Sequence, residues 1–93
     1  MAFRYDFTES LRAHIQKLHK KDRRRYEILM KKIDQIVTID EASVEHYKNL
    51  RHDQSDKKRV HIDKSFVLTF RVDRKNNHIL FIEFDHHDNI YKR

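Results

Sequence analysis

The stretch KRVHIDKSFVLTFRVDRKNNHILFIEFDHHDNIY, residues 58–91, decides the fold, because apolar and charged residues alternate along runs separated by polar bends. Successive side chains on a strand point to opposite faces of a sheet, so each run can be sorted by parity. In the first run Val60 and Ile62 go to one face, the core, and Arg59 and His61 go to the other. In the second, Phe66, Leu68, Phe70 and Val72 form the apolar set, with Val67, Thr69 and Arg71 opposite. The third, from Ile79 to Phe84, is apolar on both faces until Glu83. That pattern fits a central strand covered from both sides, with Leu80, Ile82 and Phe84 expected on the core face. Glu83, Asp85 and His87 share one parity if the strand stays regular to its end, which brings a carboxylate and a second imidazole toward His61. Between the second and third runs lies Asn76-Asn77, in a chain without glycine. Asn is the next best residue at positive φ, so a hairpin turn is predicted there.

Upstream, Phe3, Tyr5 and Phe7 alternate with Arg4, Asp6 and Thr8, the period of a strand with one buried face. Thr8 or Ser10 is placed to cap a first helix, whose narrow stripe is Leu11, Ile15 and Leu18 and which is expected to stop near Lys20. Asp22 is the predicted N-cap of a second helix carrying Tyr26, Leu29, Met30, Ile33, Ile36 and Val37. The basic run Lys20, Lys21, Arg23, Arg24 and Arg25 between them is read as a solvated helix start in preference to a phosphate site. The segment from Thr38 to Asn49 lacks sustained periodicity, with room for a short helical turn before Tyr47. The predicted fold class is α+β: an N-terminal strand, a two-helix hairpin, then an antiparallel three-stranded meander, with both helices on one sheet face.

Ninety-three residues without Gly or Pro make one expected domain, 1–93, with enough chain for a single core. Charged residues are 39% of the chain, but four Tyr, six Phe and regular apolar periodicity argue against disorder. The formal charge of +6 favours a polyanionic partner: nucleic acid, an acidic protein or an anionic surface. No run of about 20 apolar residues occurs, and MAFRYDF has no signal-peptide pattern, so a cytoplasmic protein without a membrane partner is expected. With no cysteine there is no thiolate site.

These element positions resemble the RelE/ParE superfamily of toxins from toxin–antitoxin modules. Tyr47-Lys48-Asn49-Leu50 looks like the family's loop before the meander, Arg59-Val60-His61-Ile62 like its second strand, and His87 to Tyr91 like its His-x-x-hydrophobic-aromatic ending. The spacing is most similar to the RelE and YafQ branches, which are ribosome-dependent mRNA endonucleases. YafQ-like toxins carry histidines where His61 and His87 stand and an aromatic where Tyr91 stands. The chain departs from the pattern at Ser65, where that branch has a catalytic Asp, and at Lys48, where it has its first histidine. A RelE arginine near Phe66 is missing too, and His52 replaces a loop glycine. The resemblance implies an acidic antitoxin that wraps the basic surface, covering several of Lys48, Arg51, Lys57 and Arg59. It also implies the ribosome and mRNA as partners, and a possible toxin–antitoxin heterotetramer.

RNA cleavage of this kind needs no protein nucleophile, because a ribose 2′-OH oriented in line can attack the adjacent phosphate. The protein supplies a base, an acid and positive charge. An imidazole titrates near pH ~6.5, so His61 and His87 are suitable for the proton transfers. Arg59, Lys57 and Lys48 can hold the scissile phosphate, the arginine with two parallel hydrogen bonds, and Asp85 can orient an imidazole. Tyr91 can stack on a base, act as a weak acid, or only close the edge of the core. Lys48, Arg51, Lys57, Lys58 and Arg71 are the expected RNA-binding cations. No cofactor is expected. His86-His87 flanked by Asp85 and Asp88 suggests metal at first sight, but adjacent residues on an extended segment point apart and no matching ligand spacing occurs elsewhere. His14, His19, His46, His52 and His78 read as solvated. Two other readings stay open: a ParE-like toxin that poisons gyrase without a histidine pair, and an RNA-binding relative whose site has lapsed.

Overall fold

In the computed structural model, which describes residues 3–38, 43, 47 and 57–91, the chain runs β1 (Arg4–Phe7), α1 (Glu9–Lys21), α2 (Arg23–Thr38), β2 (Lys58–Ile62), β3 (Phe66–Asp73), β4 (His78–His86) and α3 (His87–Tyr91). Among these residues the strands form one sheet in the order β1-β4-β3-β2, with β1 parallel to β4 and the other pairs antiparallel. This is the α+β arrangement that the sequence predicts, and β4 is central.

The helices start and stop for local reasons. Thr8 leaves β1 in an extended conformation, and its hydroxyl accepts from Leu11 N at 3.2 Å, capping α1. Asp22 breaks out of helical geometry at φ −144° and ψ 77°, donating its N–H to the Leu18 carbonyl at 2.8 Å. The Asp22 carboxylate then accepts from Arg25 N at 3.1 Å, so the residue that ends α1 also caps α2. Leu11 and Leu18 of α1 and Leu29, Ile33, Ile36 and Val37 of α2 are buried with Ile62, Leu68, Phe70, Ile79, Phe81 and Phe84 of the sheet. Each fully buried aromatic or aliphatic side chain in this layer contributes roughly 1.5–3 kcal/mol.

Parity fails in β4. Leu68 pairs with Phe84 and Thr69 with Glu83, but Phe70 pairs with Phe81, so Ile82 is an extra residue in the strand. Beyond this bulge the faces are exchanged. Ile79 and Phe81 are fully buried in the core, whereas Leu80 and Ile82, the residues expected there, are half-buried. The Thr8 hydroxyl donates to the Ile82 carbonyl at 2.6 Å, so the irregularity is tied to the cap of α1. Of the alternating aromatics, Phe3, just before β1, is buried, Phe7 is half-buried and Tyr5 is 46% exposed on the edge strand.

Lys20, Lys21, Arg23 and Arg24 are exposed, as a solvated helix start requires, but Arg24 and the half-buried Arg25 also hold a turn of the sheet. Ile62 pairs with Phe66, leaving Asp63, Lys64 and Ser65 as the β2–β3 turn, with Asp63 at φ 50° and Lys64 at φ 67°. Arg24 grips the Asp63 carboxylate with two hydrogen bonds of 3.1 and 3.3 Å, and Arg25 reaches the same group at 3.4 Å while pairing with Asp22 at 2.7 Å. The hydrogen bond and charge from Arg24 hold the Asp63 carboxyl below the usual aspartate range, and Asp63 in turn raises the Arg24 guanidinium. At the other hairpin Asn77 adopts φ 54°, as predicted. Asn76 hydrogen-bonds Asp73 there from side chain and backbone, and lowers its pKa.

Candidate active site

Arg59 and His61 lie on the sheet face away from α1 and α2, as parity requires, with Val67 and Asp85 in register beside His61. A segment after β4 covers part of that face. Chain direction changes at His87, where α3 begins, and the His87 N–H donates to the Ser65 carbonyl at 2.7 Å. Ile90 is buried against Val67, with Tyr91 packed on the same pair. Apolar burial on both faces of β3 therefore anchors α3 over one end of the open sheet face.

The result is an open cleft of about 390 Å³ lined by Arg59, His61, His87 and Tyr91. The His61 and His87 rings stack at 5.8 Å between centroids with 25° between planes, and the Tyr91 ring lies 4.5 Å from that of His87. Arg59 Cζ sits 5.5 Å from the centre of the Tyr91 ring, inside the range of a cation–π contact. His61 is exposed and the His87 side chain is 47% exposed, so both imidazoles are open to a ligand. Two imidazoles, a cation and an aromatic face thus meet in one cleft.

Other expected site residues fall elsewhere. The Asp85 carboxylate accepts from His86 N at 2.7 Å and from Asn89 Nδ2 at 3.1 Å, at the start of α3, and it does not line the cleft. Asp88 is the carboxylate beside an active-site candidate, 3.4 Å from His87 Nδ1. A proton on that nitrogen would leave His87 Nε2 as an acceptor. The His86 ring turns back to cap α3, its Nδ1 accepting from Asp88 N at 3.2 Å. An accepting Nδ1 carries no proton, so the 3.9 Å approach of the Asp88 carboxylate to the same nitrogen is not an ion pair.

Lys58 corrects the expected set of RNA-binding cations. It shares parity with Val60 and Ile62, is 8% exposed, and its ammonium donates to the Tyr47 carbonyl at 3.3 Å. The Tyr47 ring packs on Phe70 at 5.6 Å, and burial raises its phenol pKa. Arg71 is exposed and has the parity of Arg59, and Lys57 is half-buried just before β2. Lys48 and Arg51, like His46 and His52, lie outside the described residues. His78, expected to be solvated, is half-buried and 2.9 Å from the Asp6 carboxylate across β1 and β4. Among the described residues no helix is long and apolar enough to cross a membrane.

The chain is 47% identical over 91 residues, 98% of its length and 93% of the relative's, to the Methanocaldococcus jannaschii protein named "Putative toxin RelE4". It belongs to the RelE toxin superfamily. An uncharacterised protein of Methanosarcina mazei is 40% identical to this RelE-like chain over 81 residues, 87% of it and 90% of the relative. Two solved structures share the fold of this RelE-like chain at low identity. The toxin–antitoxin complex RelBE2 of Mycobacterium tuberculosis matches with a TM-score of 0.61 at 18% identity, covering 94% of this chain and 100% of the other. The conserved hypothetical protein HP0892 of Helicobacter pylori matches with a TM-score of 0.63 at 14% identity, over 96% and 99%. No family model matches the chain.

Proposed function

We propose that this RelE-like chain is the toxin of a toxin–antitoxin module and that it cuts mRNA on the ribosome. The observation that carries this reading is the stacked pair of imidazoles, 5.8 Å apart, sharing a cleft with Arg59 and Tyr91. One imidazole takes the proton of a ribose 2′-OH as its oxygen bonds to the adjacent phosphorus. The bond from phosphorus to the 5′-oxygen breaks, and the second imidazole gives that oxygen its proton. The products are a 2′,3′-cyclic phosphate and a 5′-hydroxyl end. Arg59 offsets negative charge that grows on the phosphoryl oxygens, and the Tyr91 ring offers a stacking face for an unpaired base. In this reading the toxin works in the cytoplasm and is restrained by an acidic antitoxin over its basic surface, with a heterotetramer as the expected complex.

Mapping RNA ends in a translation extract tests it. The protein should produce 5′-hydroxyl ends within translated mRNA, and the His61→Ala and His87→Ala variants should not. Inhibition of gyrase without RNA cuts would replace this reading with the ParE-like one, and RNA binding with neither effect would identify a lapsed site.

A further inference from the structure

We propose that Arg24, Arg25 and Asp63 form a positioning device that fixes the β2–β3 turn and, through Ser65, sets His87 against His61. The inference rests on the reading of the cleft as the place where RNA is cut. His61 lies on β2 before the turn and His87 on α3, so strand pairing alone does not place the two rings together. The turn supplies a backbone tie between them, since the Ser65 carbonyl accepts the His87 N–H at 2.7 Å. The turn itself is held in a form that non-glycine residues disfavour, with consecutive positive φ values of 50° and 67° at Asp63 and Lys64. An outside restraint is expected for such a turn, and it is present. Arg24 clamps Asp63 from α2 through two hydrogen bonds, and Arg25 adds a third contact at 3.4 Å. Arg25 also lies 4.2 Å from the centre of the Phe66 ring, and Phe66 meets the His86 ring at 5.6 Å, immediately before α3. Two routes therefore run from the start of α2 to His87: the backbone route through Asp63 and Ser65, and the ring route through Phe66 and His86. Arg24, Arg25 and Asp63 do not line the cleft, so their action on it is indirect.

Asp63→Asn separates this role from simple folding. Asn tolerates positive φ, so the turn can persist while the charge that holds it is lost. The Arg24→Gln variant removes the same clamp from its other side. Each variant is examined by NMR for the His61 and His87 ring signals and for exchange of the His87 amide, and by single-turnover mRNA cleavage on ribosomes. In both variants the His87 amide should exchange on the order of tenfold faster relative to that of Phe84. The ring signals of His61 and His87 should shift, and the cleavage step should slow roughly 10- to 100-fold with ribosome affinity unchanged. The double variant should be no worse than Asp63→Asn alone, which already gives up the ion pairs to both Arg24 and Arg25. Unchanged His87 exchange and ring signals in folded Asp63→Asn would overturn the proposal whatever the activity. If the unaltered protein cuts no mRNA while the NMR changes occur, the positioning stands and the nuclease reading falls.

Discussion

At the scale of single residues, the cleft divides into side chains that parity could place and side chains that it could not. Arg59 and His61 were legible because the alternation of one short strand sends Val60 and Ile62 to the core and them to the other face. The same rule, applied to Lys58, would have kept it out of the RNA-binding set, since it counts with Val60. His87 was legible as a residue but not as a position, because β4 ends at His86 and α3 carries it back over the sheet. Asp88 was overshadowed by Asp85, whose carboxylate serves the start of α3. The Arg24–Asp63 contact joins residues 39 apart in sequence and leaves no local pattern. For the imidazoles the expected outcome is direct: His61→Ala and His87→Ala each lower the single-turnover cleavage rate by about 10²-fold or more, with little change in ribosome binding. Tyr91 gives a sharper test. Its hydroxyl is buried with no hydrogen-bond partner among the described residues, so it has no local acceptor to orient it. Tyr91→Phe removes an unsatisfied group and should leave folding stability equal or slightly higher in urea denaturation. Cleavage should fall only modestly in that variant and more in Tyr91→Ala, which also removes the ring beside Arg59 and His87.

At the scale of elements, the helices were readable because their signals are local. Thr8 caps α1 and Asp22 caps α2, and stripes of period 3 to 4 choose the buried face. The strand order was readable in part: apolar residues on both faces marked β4 as central, and the sheet places it between β1 and β3. What the alternation could not show is that one residue, Ile82, is extra. A run apolar on both faces looks the same in either register, so alternation points to Leu80 and Ile82 where the core holds Ile79 and Phe81. Thr8 sits where these two facts meet, with one hydroxyl serving the α1 cap at 3.2 Å and the Ile82 carbonyl at 2.6 Å. Thr8→Ala removes both bonds and leaves a part-buried carbonyl without that donor. The expected loss is about 1–3 kcal/mol of folding free energy, read from the urea midpoint. Thr8→Ser keeps the hydroxyl and should recover most of it. If Thr8→Ala is as stable as the unaltered chain, the bulge does not depend on the cap.

At the scale of the whole molecule, charge governs both partners and stability. With 21 Lys and Arg against 15 Asp and Glu, the chain attracts polyanions and repels itself, so the few carboxylates that hold cations or turns matter for folding. Asp63 and Asp73 are two of these, one in each hairpin turn of the meander. Both have pKa values lowered in the fold, Asp63 chiefly by its hydrogen bond from Arg24 and Asp73 chiefly by those from Asn76. A carboxyl whose folded pKa lies below its unfolded value binds fewer protons when folded, so its contribution to stability is fully present above the unfolded pKa. That contribution is lost as pH falls through the folded value. The unfolded reference for aspartate is about 3.9, so the window opens near pH ~4 and extends downward. Urea midpoints measured from neutral pH into acid should therefore fall below about pH 4 as these groups take up protons. Asp63→Asn and Asp73→Asn should each flatten that acid limb, since an amide has no proton to gain, and the double variant should flatten it further because the two turns lie at opposite ends of β3. An acid limb as steep in the double variant as in the unaltered chain would assign the acid sensitivity to other carboxylates.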